Sequence, residues 1–276
     1  MDANSMSEKN AVQASSQESE LVLVRLTRHG AIAELELTNP PLNLVTKQLL
    51  EQLHGAITVL ASDSSVRCVV LHQGPSRAFC AGSDMREFET VRTKAIDQKI
   101  LYEEYVIRQL AKLHCPTIAA LDGPALGGGF ELALACDIRV ASQAASVGLT
   151  ECIIGGLGGS GAIRLTHLVG PARAAEMLFT GKVLQATQAL GWGLVNEISD
   201  GESALQCALK LAAEIATRGP LSNAYAKRLI AAAMDESTAG ALSLANELQD
   251  QIFRSKDLQL GSQAFFAKAP VQFEGR

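Results

Sequence analysis

The sequence predicts an α/β protein whose last quarter is entirely helical. Up to about residue 200, short strand-like runs alternate with helical segments, which is the alternation typical of α/β domains. Beyond that point only helical periodicity remains. The chain has 276 residues and is 47% hydrophobic, which is ample for a large core.

Two runs near the start predict a β-hairpin. LVLVRLTRHG and AIAELELTN are both strand-like, and the HG between them is typical of a turn. The next segment, TKQLLEQLHGAITVLASD, has helical spacing with Thr46 as a candidate N-cap. The remaining predicted elements of the α/β part are, in order, the buried strand VRCVVLHQG, the long amphipathic helical stretch MREFETVRTKAIDQKILYEEYVIRQLAKL, and the strands CPTIAALDG and DIRVAS.

The two ends of the chain differ in character. The first twenty residues are polar and lack the apolar segment of a signal peptide, which predicts a disordered leader over residues 1–20. An α/β core that carries the site is expected over residues 21–200, and a helical region over residues 201–276. The predicted helices of that region are ESALQCALKLAAEIATRG, PLSNAYAKRLIAAAM, TAGALSLANELQDQIF and DLQLGSQAFFAKA.

Composition argues against several classes of function. The net charge is −5 and no basic block occurs, so the sequence does not indicate a nucleic-acid partner. No apolar run is long enough to span a bilayer, so no membrane association is expected. The six cysteines include no C-x-x-C pair and the five histidines show no metal-ligand spacing. We therefore expect no metal site and a reducing, cytoplasmic location.

The stretch PALGGGFELALACD contains two energetically unfavourable features within five residues: consecutive glycines, which lose much backbone freedom on folding, and a carboxylate beside an apolar run. Three glycines, Gly127 to Gly129, precede a helix expected to begin near Phe130, and Glu131 lies on its first turn beside an apolar run. Glycines at a helix start let a ligand approach the free backbone N–H groups closely, so the segment can bind an anion or a developing oxyanion. The alternative is tight packing between helix and sheet, with Glu131 as an ordinary first-turn residue.

Two further stretches favour a functional interpretation. AFCAGSD, ending at Asp84, is a loop of small residues after a predicted strand, and is either an ordinary connection or a second backbone donor. VGLTECIIGGLGGSGAIRL places Glu151 in an apolar, glycine-rich setting, where the carboxylate either caps a helix or faces the site. Two carboxylates in one pocket can serve as acid and base for moving protons.

The same region contains a formal match to a dinucleotide-binding motif. GLGGSG fits G-x-G-x-x-G, but the preceding ECII is short and charged for a buried strand. The acidic residue expected about twenty positions later is missing at a strand end, since Glu176 lies in a helical segment. A dinucleotide site is therefore disfavoured.

Taken together, these motifs resemble those of the crotonase superfamily, the enoyl-CoA hydratases and isomerases. The resemblance runs from about Leu21 to the C-terminus. It implies a spiral of ββα units with an α-helical C-terminal region that builds trimers, so a homotrimer or a dimer of trimers is expected. The motifs that carry it are AFCAGSDMREF, CPTIAALDGPALGGGFELALACDIRVAS, VGLTECIIGGLGGSGAIRL, VGPARAAEMLFTG and ALGWGLVNEI.

The resemblance also implies an acyl-CoA thioester substrate. Two backbone N–H groups, on Ala81 and Gly128, would bind the thioester oxygen, and two glutamates, Glu131 and Glu151, would act on water and on the α-carbon. The implied reaction is reversible hydration of a 2-trans-enoyl-CoA, without any cofactor because coenzyme A is part of the substrate. The residues implied in substrate binding are Ala81, Gly82, Ser83, Asp84 and Gly127.

Four alternatives remain beside hydration of a 2-trans-enoyl-CoA. A Δ3,Δ2-enoyl-CoA isomerase manages with one glutamate, and a dehydratase or a ring-degrading hydratase of the same superfamily uses similar motifs. A family member without activity would serve as a CoA-binding scaffold. The sequence departs from well-known hydratases at GGLGGSG, after Glu151, which lacks a proline and is about one residue shorter. The departure affects the loop that positions the second glutamate.

Overall fold

Two β-sheets form the α/β part of the protein. The computed structural model describes residues 21–276, so the leader predicted over residues 1–20 lies outside the described residues. The strands of the described residues are β1 (Val24–His29), β2 (Ile32–Leu37), β3 (Cys68–His72), β4 (Thr117–Leu121), β5 (Ala125–Leu126), β6 (Ile138–Ala141), β7 (Ser146–Gly148), β8 (Leu184–Gln185) and β9 (Glu197–Ile198).

The larger sheet has six strands in the order β1-β2-β3-β4-β6-β9. β1 and β2 form the predicted antiparallel hairpin, in which Arg28 pairs with Ala33, and all later neighbours are parallel. The smaller sheet has the order β5-β7-β8, with β5 and β7 parallel. Because neighbouring parallel strands end at the same edge, the loops that follow β3 and β4 are brought together.

The described residues also form ten α-helices and three short segments of 3-10 or π-helix. A 3-10 helix (Arg92–Lys94) and a π-helix (Ile96–Ile100) precede the third helix, and another 3-10 helix covers Glu151–Ile154. The α-helices are α1 (Lys47–Ser62), α2 (Met85–Val91), α3 (Leu101–Ala111), α4 (Gly128–Ala135), α5 (Gly159–Thr180), α6 (Ala186–Trp192), α7 (Ala204–Ala216), α8 (Pro220–Asp235), α9 (Thr238–Arg254) and α10 (Lys256–Ala267).

Alternate residues of the parallel strands face two separate apolar layers. Val69 and Leu71 of β3 point into the main core, while Cys68 and Val70 point to the opposite face, which α7 covers. Both faces of the central strands are therefore buried, as parallel sheets require. The helix α7 packs on β3 and β4, so the boundary predicted at residue 200 precedes a helix that belongs to this sheet.

The start of α1 confirms a prediction made from the sequence. Thr46 is the N-cap, and its hydroxyl accepts a hydrogen bond from Leu49 N at 3.1 Å. The predicted C-terminal helical region is also confirmed, by α7 to α10. No helix within residues 21–276 has the length and apolar character needed to cross a membrane.

The helical stretch predicted from Met85 is divided into four consecutive helical segments, α2, a 3-10 helix, a π-helix and α3. α2 ends at Val91, and Arg92 adopts a left-handed φ of 32° that no α-helix continues through. The π-helix that follows turns Lys99 inward, where its Nζ bonds Glu87 Oε2 at 2.6 Å and Val45 O at 3.3 Å. A buried ammonium needs such partners, and the irregular backbone provides them.

Candidate active site

Two loops meet backbone to backbone at the edge of the large sheet. Cys80 pairs with Ala125 in a single parallel bridge, and Leu126 N donates to Cys80 O at 3.0 Å. Gly82, with a φ of 105°, lies so close that a Cβ there would be 3.2 Å from Leu126 O. The loop after β3 therefore lies directly against the start of α4.

The pairing of Ser83 with Val45 sets the direction of one backbone donor. Val45 N donates to Gly82 O at 2.9 Å and Asp84 N donates to Val45 O at 3.0 Å. In a parallel bridge of this kind, the residue between Gly82 and Asp84, which is Ser83, directs its own N–H away from Val45. Within residues 21–276, neither the Ser83 N–H nor the Gly128 N–H has a hydrogen-bond acceptor.

The structure corrects the predicted role of Ala81. Its N–H donates to Leu42 O at 3.0 Å, so this amide is occupied inside the fold and does not face the start of α4. Gly82 N and Ser83 N have no acceptor among the described residues, and Ser83 N lies 3.6 Å from the position of a Cβ on Gly128.

Gly127 and Gly128, at the start of α4, each have a close neighbour that a side chain would meet. Gly127 has a φ of 52°, and a Cβ on it would be 3.2 Å from Glu151 Oε1. A Cβ on Gly128 would be 2.7 Å from Ser83 Oγ. α4 begins at Gly128, so its first N–H groups, which lack intrahelical acceptors, face the loop that carries Ser83.

Glu131 is buried on the first turn of α4, as predicted. Its Oε1 accepts a hydrogen bond of 2.8 Å from Gly161 N in the first turn of α5, and Ser160 Oγ lies 3.5 Å from Oε2. A Cβ at residue 161 would be 2.7 Å from the carboxylate, so only glycine admits it. Burial raises the pKa of Glu131, while the Gly161 N–H, the Ser160 hydroxyl and the charge of Arg164 oppose that shift.

Glu151 begins the 3-10 helix and points into the same region. Glycines surround its carboxylate, since a Cβ on Gly158 would be 3.1 Å from Oε2. Oε2 is buried and has no hydrogen-bond partner among the described residues. Burial raises the pKa of Glu151, and the charge of Glu131 raises it further. The electrostatic coupling agrees with the two carboxylates belonging to one site.

A third buried carboxyl group was not predicted. Glu103 Oε1 accepts a 2.6 Å hydrogen bond from Ser83 Oγ, and a Cβ on Gly128 would be 2.7 Å from the same oxygen. The sequence carries a signal for it, because Glu103 shares the apolar face of α3 with Val106, Ile107 and Leu110. A carboxylate at such a helix position is costly unless it has a partner.

Comparisons with known proteins agree with this geometry. The sequence profile of the family described as Enoyl-CoA hydratase/isomerase matches residues 27–276. The chain belongs to the enoyl-CoA hydratase/isomerase family. It is 36% identical over 238 residues to "Methylglutaconyl-CoA hydratase, mitochondrial" of Rattus norvegicus, covering 84% of this chain and 76% of that protein.

Solved structures confirm the crotonase-like fold of this family member. A crystal structure of enoyl-CoA hydratase from Bacillus anthracis matches with a TM-score of 0.88 at 29% identity, covering 92% of this chain and all of that one. The predicted α/β architecture with a C-terminal helical region is therefore correct. Enzymes of this family act on acyl-CoA thioesters.

The glycine-rich segment after Glu151 has a clear role in this family member. It follows a 3-10 helix and enters α5, so the described residues do not give it the strand–turn–helix arrangement of a dinucleotide motif. Its glycines at 158 and 161 instead admit the carboxylates of Glu151 and Glu131.

The remaining predicted binding residues differ in what they contact. Gly82 and Gly127 lie at the meeting point of the loops, with Gly82 Cα 3.8 Å from the position of a Cβ on Gly127. Asp84 instead caps α2, since its carboxylate accepts from Arg86 N at 2.9 Å and pairs with the Arg86 guanidinium at 2.6 Å. Within residues 21–276, no group of three or more histidine, cysteine or acidic side chains has the arrangement of a metal site.

Proposed function

We propose that this enzyme adds water reversibly to a 2-trans-enoyl-CoA and gives a 3-hydroxyacyl-CoA. The observation that carries the proposal is the placement of two glutamates at the start of α4 beside the unoccupied N–H groups of Ser83 and Gly128: Glu131 is buried on the first turn, and Glu151 Oε1 lies 3.2 Å from the Cβ position of Gly127. Hydration needs a base for the water, an acid for the α-carbon and donors for the thioester oxygen, and the site has a candidate for each.

The environments of the two glutamates support different roles. Glu131 has the Gly161 N–H and the charge of Arg164 to stabilise its ionised form. Glu151 has an unpartnered oxygen and the opposing charge of Glu131. We therefore assign Glu131 as the base that activates the water attacking C3, and Glu151 as the group that exchanges a proton at C2.

The thioester oxygen is assigned to the N–H groups of Ser83 and Gly128. Both belong to backbone held by neighbouring pairs, so the donors are in place before the substrate binds. Negative charge that develops on the oxygen during water addition would be stabilised there. The thioester itself acidifies the α-carbon, so the proposed reaction uses no metal or redox cofactor.

Replacing each glutamate singly with glutamine tests the proposal. We expect Glu131→Gln and Glu151→Gln each to lower kcat by about 10²–10⁴-fold, since each removes one proton-transfer group. The assay follows loss of the conjugated absorbance of crotonyl-CoA. Glu214→Gln, on exposed surface of α7, is the matched control and should leave kcat unchanged. Wild-type turnover in both active-site variants would refute the assignment.

Product analysis separates hydration from the alternatives. A Δ3,Δ2-enoyl-CoA isomerase would convert 3-enoyl thioesters and would lose little activity on replacement of the glutamate that it does not use. A CoA-binding scaffold would bind the thioesters without turning over any of them. A series of 2-enoyl-CoAs of increasing length, together with methylglutaconyl-CoA, would identify the preferred acyl group.

We further propose that the C-terminal helices join copies of this chain into a homotrimer or a dimer of trimers in the cytoplasm. Exposed apolar side chains support an interface, among them Phe253 and Phe265, which are 74% and 78% exposed. All six cysteines are free thiols, as suits a reducing compartment. Light scattering on the purified protein measures the mass, and a monomeric mass would contradict the assembly.

A further inference from the structure

The buried carboxyl group of Glu103 lies next to both proposed oxyanion donors. Its Oε1 bonds Ser83 Oγ at 2.6 Å and lies 2.7 Å from the Cβ position of Gly128. The same Cβ position is 3.6 Å from Ser83 N. One carboxyl oxygen therefore contacts the two residues whose N–H groups would hold the thioester oxygen, although it has no place in the acid–base pair.

Few charges face Glu103 from the elements packed around it. Lys99 of the π-helix is buried and is bonded to Glu87 of α2, so its positive charge is largely matched. Glu131 of α4 adds a negative charge from the other side. The Ser83 hydroxyl in the loop after β3 is the one hydrogen-bond partner of the Glu103 carboxyl group among the described residues.

Electrostatics makes the protonation state of Glu103 matter for the reaction. A carboxylate a few ångström from a developing oxyanion destabilises it by electrostatic repulsion, and the repulsion energy is large in a desolvated site. A neutral carboxyl group at the same place leaves the oxyanion unopposed and still bonds the Ser83 hydroxyl. The contact thus fixes Ser83 in either state, but the two states differ in what they do to the thioester oxygen.

We propose that Glu103 is a positioning residue for the oxyanion hole that functions as the neutral acid: it holds Ser83 against Gly128, and its ionisation suppresses turnover. The inference rests on the proposed function, because it takes the N–H groups of Ser83 and Gly128 as the donors. On this inference the activity of the enzyme falls as Glu103 ionises, and this fall is separate from the titration of Glu131 and Glu151.

The titration of Glu103 falls in an accessible range. Burial raises its pKa to about 7, opposed by the Ser83 hydrogen bond and by Lys99, while Glu131 and Glu87 raise it further. The group is therefore neutral in slightly acidic solution and becomes ionised in slightly alkaline solution. Ser83→Ala removes a contact that lowers the pKa and keeps the backbone N–H, so this variant should ionise Glu103 at higher pH.

Glu103→Gln provides the decisive comparison, because the amide has the same shape and stays neutral. We expect the ratio of kcat for Glu103→Gln to kcat for the wild type to rise about tenfold between about pH 6 and pH 8.5, measured with crotonyl-CoA. A gain of this kind cannot come from damaged folding. Glu89→Gln, on exposed surface of α2, is the matched control and should give a flat ratio.

Two outcomes would overturn the inference. A ratio for Glu103→Gln that is flat or falls with pH shows that ionisation of Glu103 does not suppress turnover. An alkaline loss of activity at the same pH in Ser83→Ala and in the wild type shows that the Ser83 contact does not set the titration. A rising ratio together with an alkaline loss displaced to higher pH in Ser83→Ala supports it.

A binding measurement separates this inference from the proposed function. The absorbance of bound cinnamoyl-CoA moves to longer wavelength when donors polarise its carbonyl group, and the shift requires no turnover. We expect the wild type to lose most of the shift as the pH rises past about 7 and Glu103→Gln to keep it. Equal shifts at all pH values in both proteins would overturn the inference, even if hydration itself is established.

Discussion

Replacing Gly128 with alanine tests the geometry of the two donors directly. The added methyl group would lie 2.7 Å from both Glu103 Oε1 and Ser83 Oγ, well inside the ~3.5–4.0 Å at which non-bonded atoms attract. Both neighbours are side-chain ends that can move, so the helix still forms. Their movement breaks the 2.6 Å Ser83–Glu103 hydrogen bond and displaces the loop that carries the Ser83 N–H.

The expected loss is large in activity and small in stability. Loss of one oxyanion donor lowers kcat by about 10²–10³-fold. Overpacking costs about 1–3 kcal/mol in stability, partly offset by the ~1 kcal/mol advantage of alanine over glycine in a helix. Crotonyl-CoA turnover and urea unfolding of the same samples measure the two effects.

A matched glycine shows whether the effect is local. Gly55 lies inside α1, and a Cβ there would meet nothing within 4 Å. Gly55→Ala should gain up to about 1 kcal/mol in stability and leave kcat unchanged. If Gly128→Ala kept kcat within about threefold of the wild type, the amide at this residue would not be a donor and the assignment of the oxyanion hole would fail.

Two further predictions follow from the same region. Gly161→Ala places a methyl group 2.7 Å from Glu131 Oε1, so the displaced carboxylate should lower kcat about 10²-fold with a normal circular dichroism spectrum; unchanged kcat would show that Gly161 does not position it. The pKa of Glu103 rises on folding from 4.5 to about 7, so the folded state binds more protons in that window and stability falls as pH rises through it. Urea unfolding should therefore show the wild type losing stability relative to Glu103→Gln over that range, and a pH-independent difference would contradict the shift.

Local signals in the sequence predicted the elements that depend on local chemistry. The hairpin, the Thr46 cap and the position of Glu131 on a first helical turn all follow from patterns a few residues long. The break at Arg92 does not, because it depends on burying Lys99 against the distant Glu87 and Val45. Propensity alone favours a continuous helix there, and tertiary contacts override it.

The donor N–H group in the loop after β3 also depends on contacts with distant residues, which local sequence signals do not show. The partner strand or loop decides which N–H groups of an extended segment are bonded within the fold. In this loop the deciding contacts are the pairing of Ser83 with Val45 and the hydrogen bond from Ala81 N to Leu42 O. Both partners lie almost forty residues earlier in the chain, so the motif alone identifies the loop but not the amide.

Burial raises the pKa of all three carboxyl groups, Glu103, Glu131 and Glu151, and the charge of Glu131 adds to the shift of the other two. The three groups differ in the hydrogen-bond donors and positive charges that stabilise their ionised forms. Glu131 has a backbone N–H and a nearby guanidinium, Glu103 has a single hydroxyl, and Glu151 has an oxygen without a partner. Glu131 is thus the group best stabilised as a carboxylate, which is what a base requires. In the proposed reaction Glu151 exchanges the proton at the α-carbon, and a neutral Glu103 leaves the thioester oxygen free to take the charge that the reaction creates.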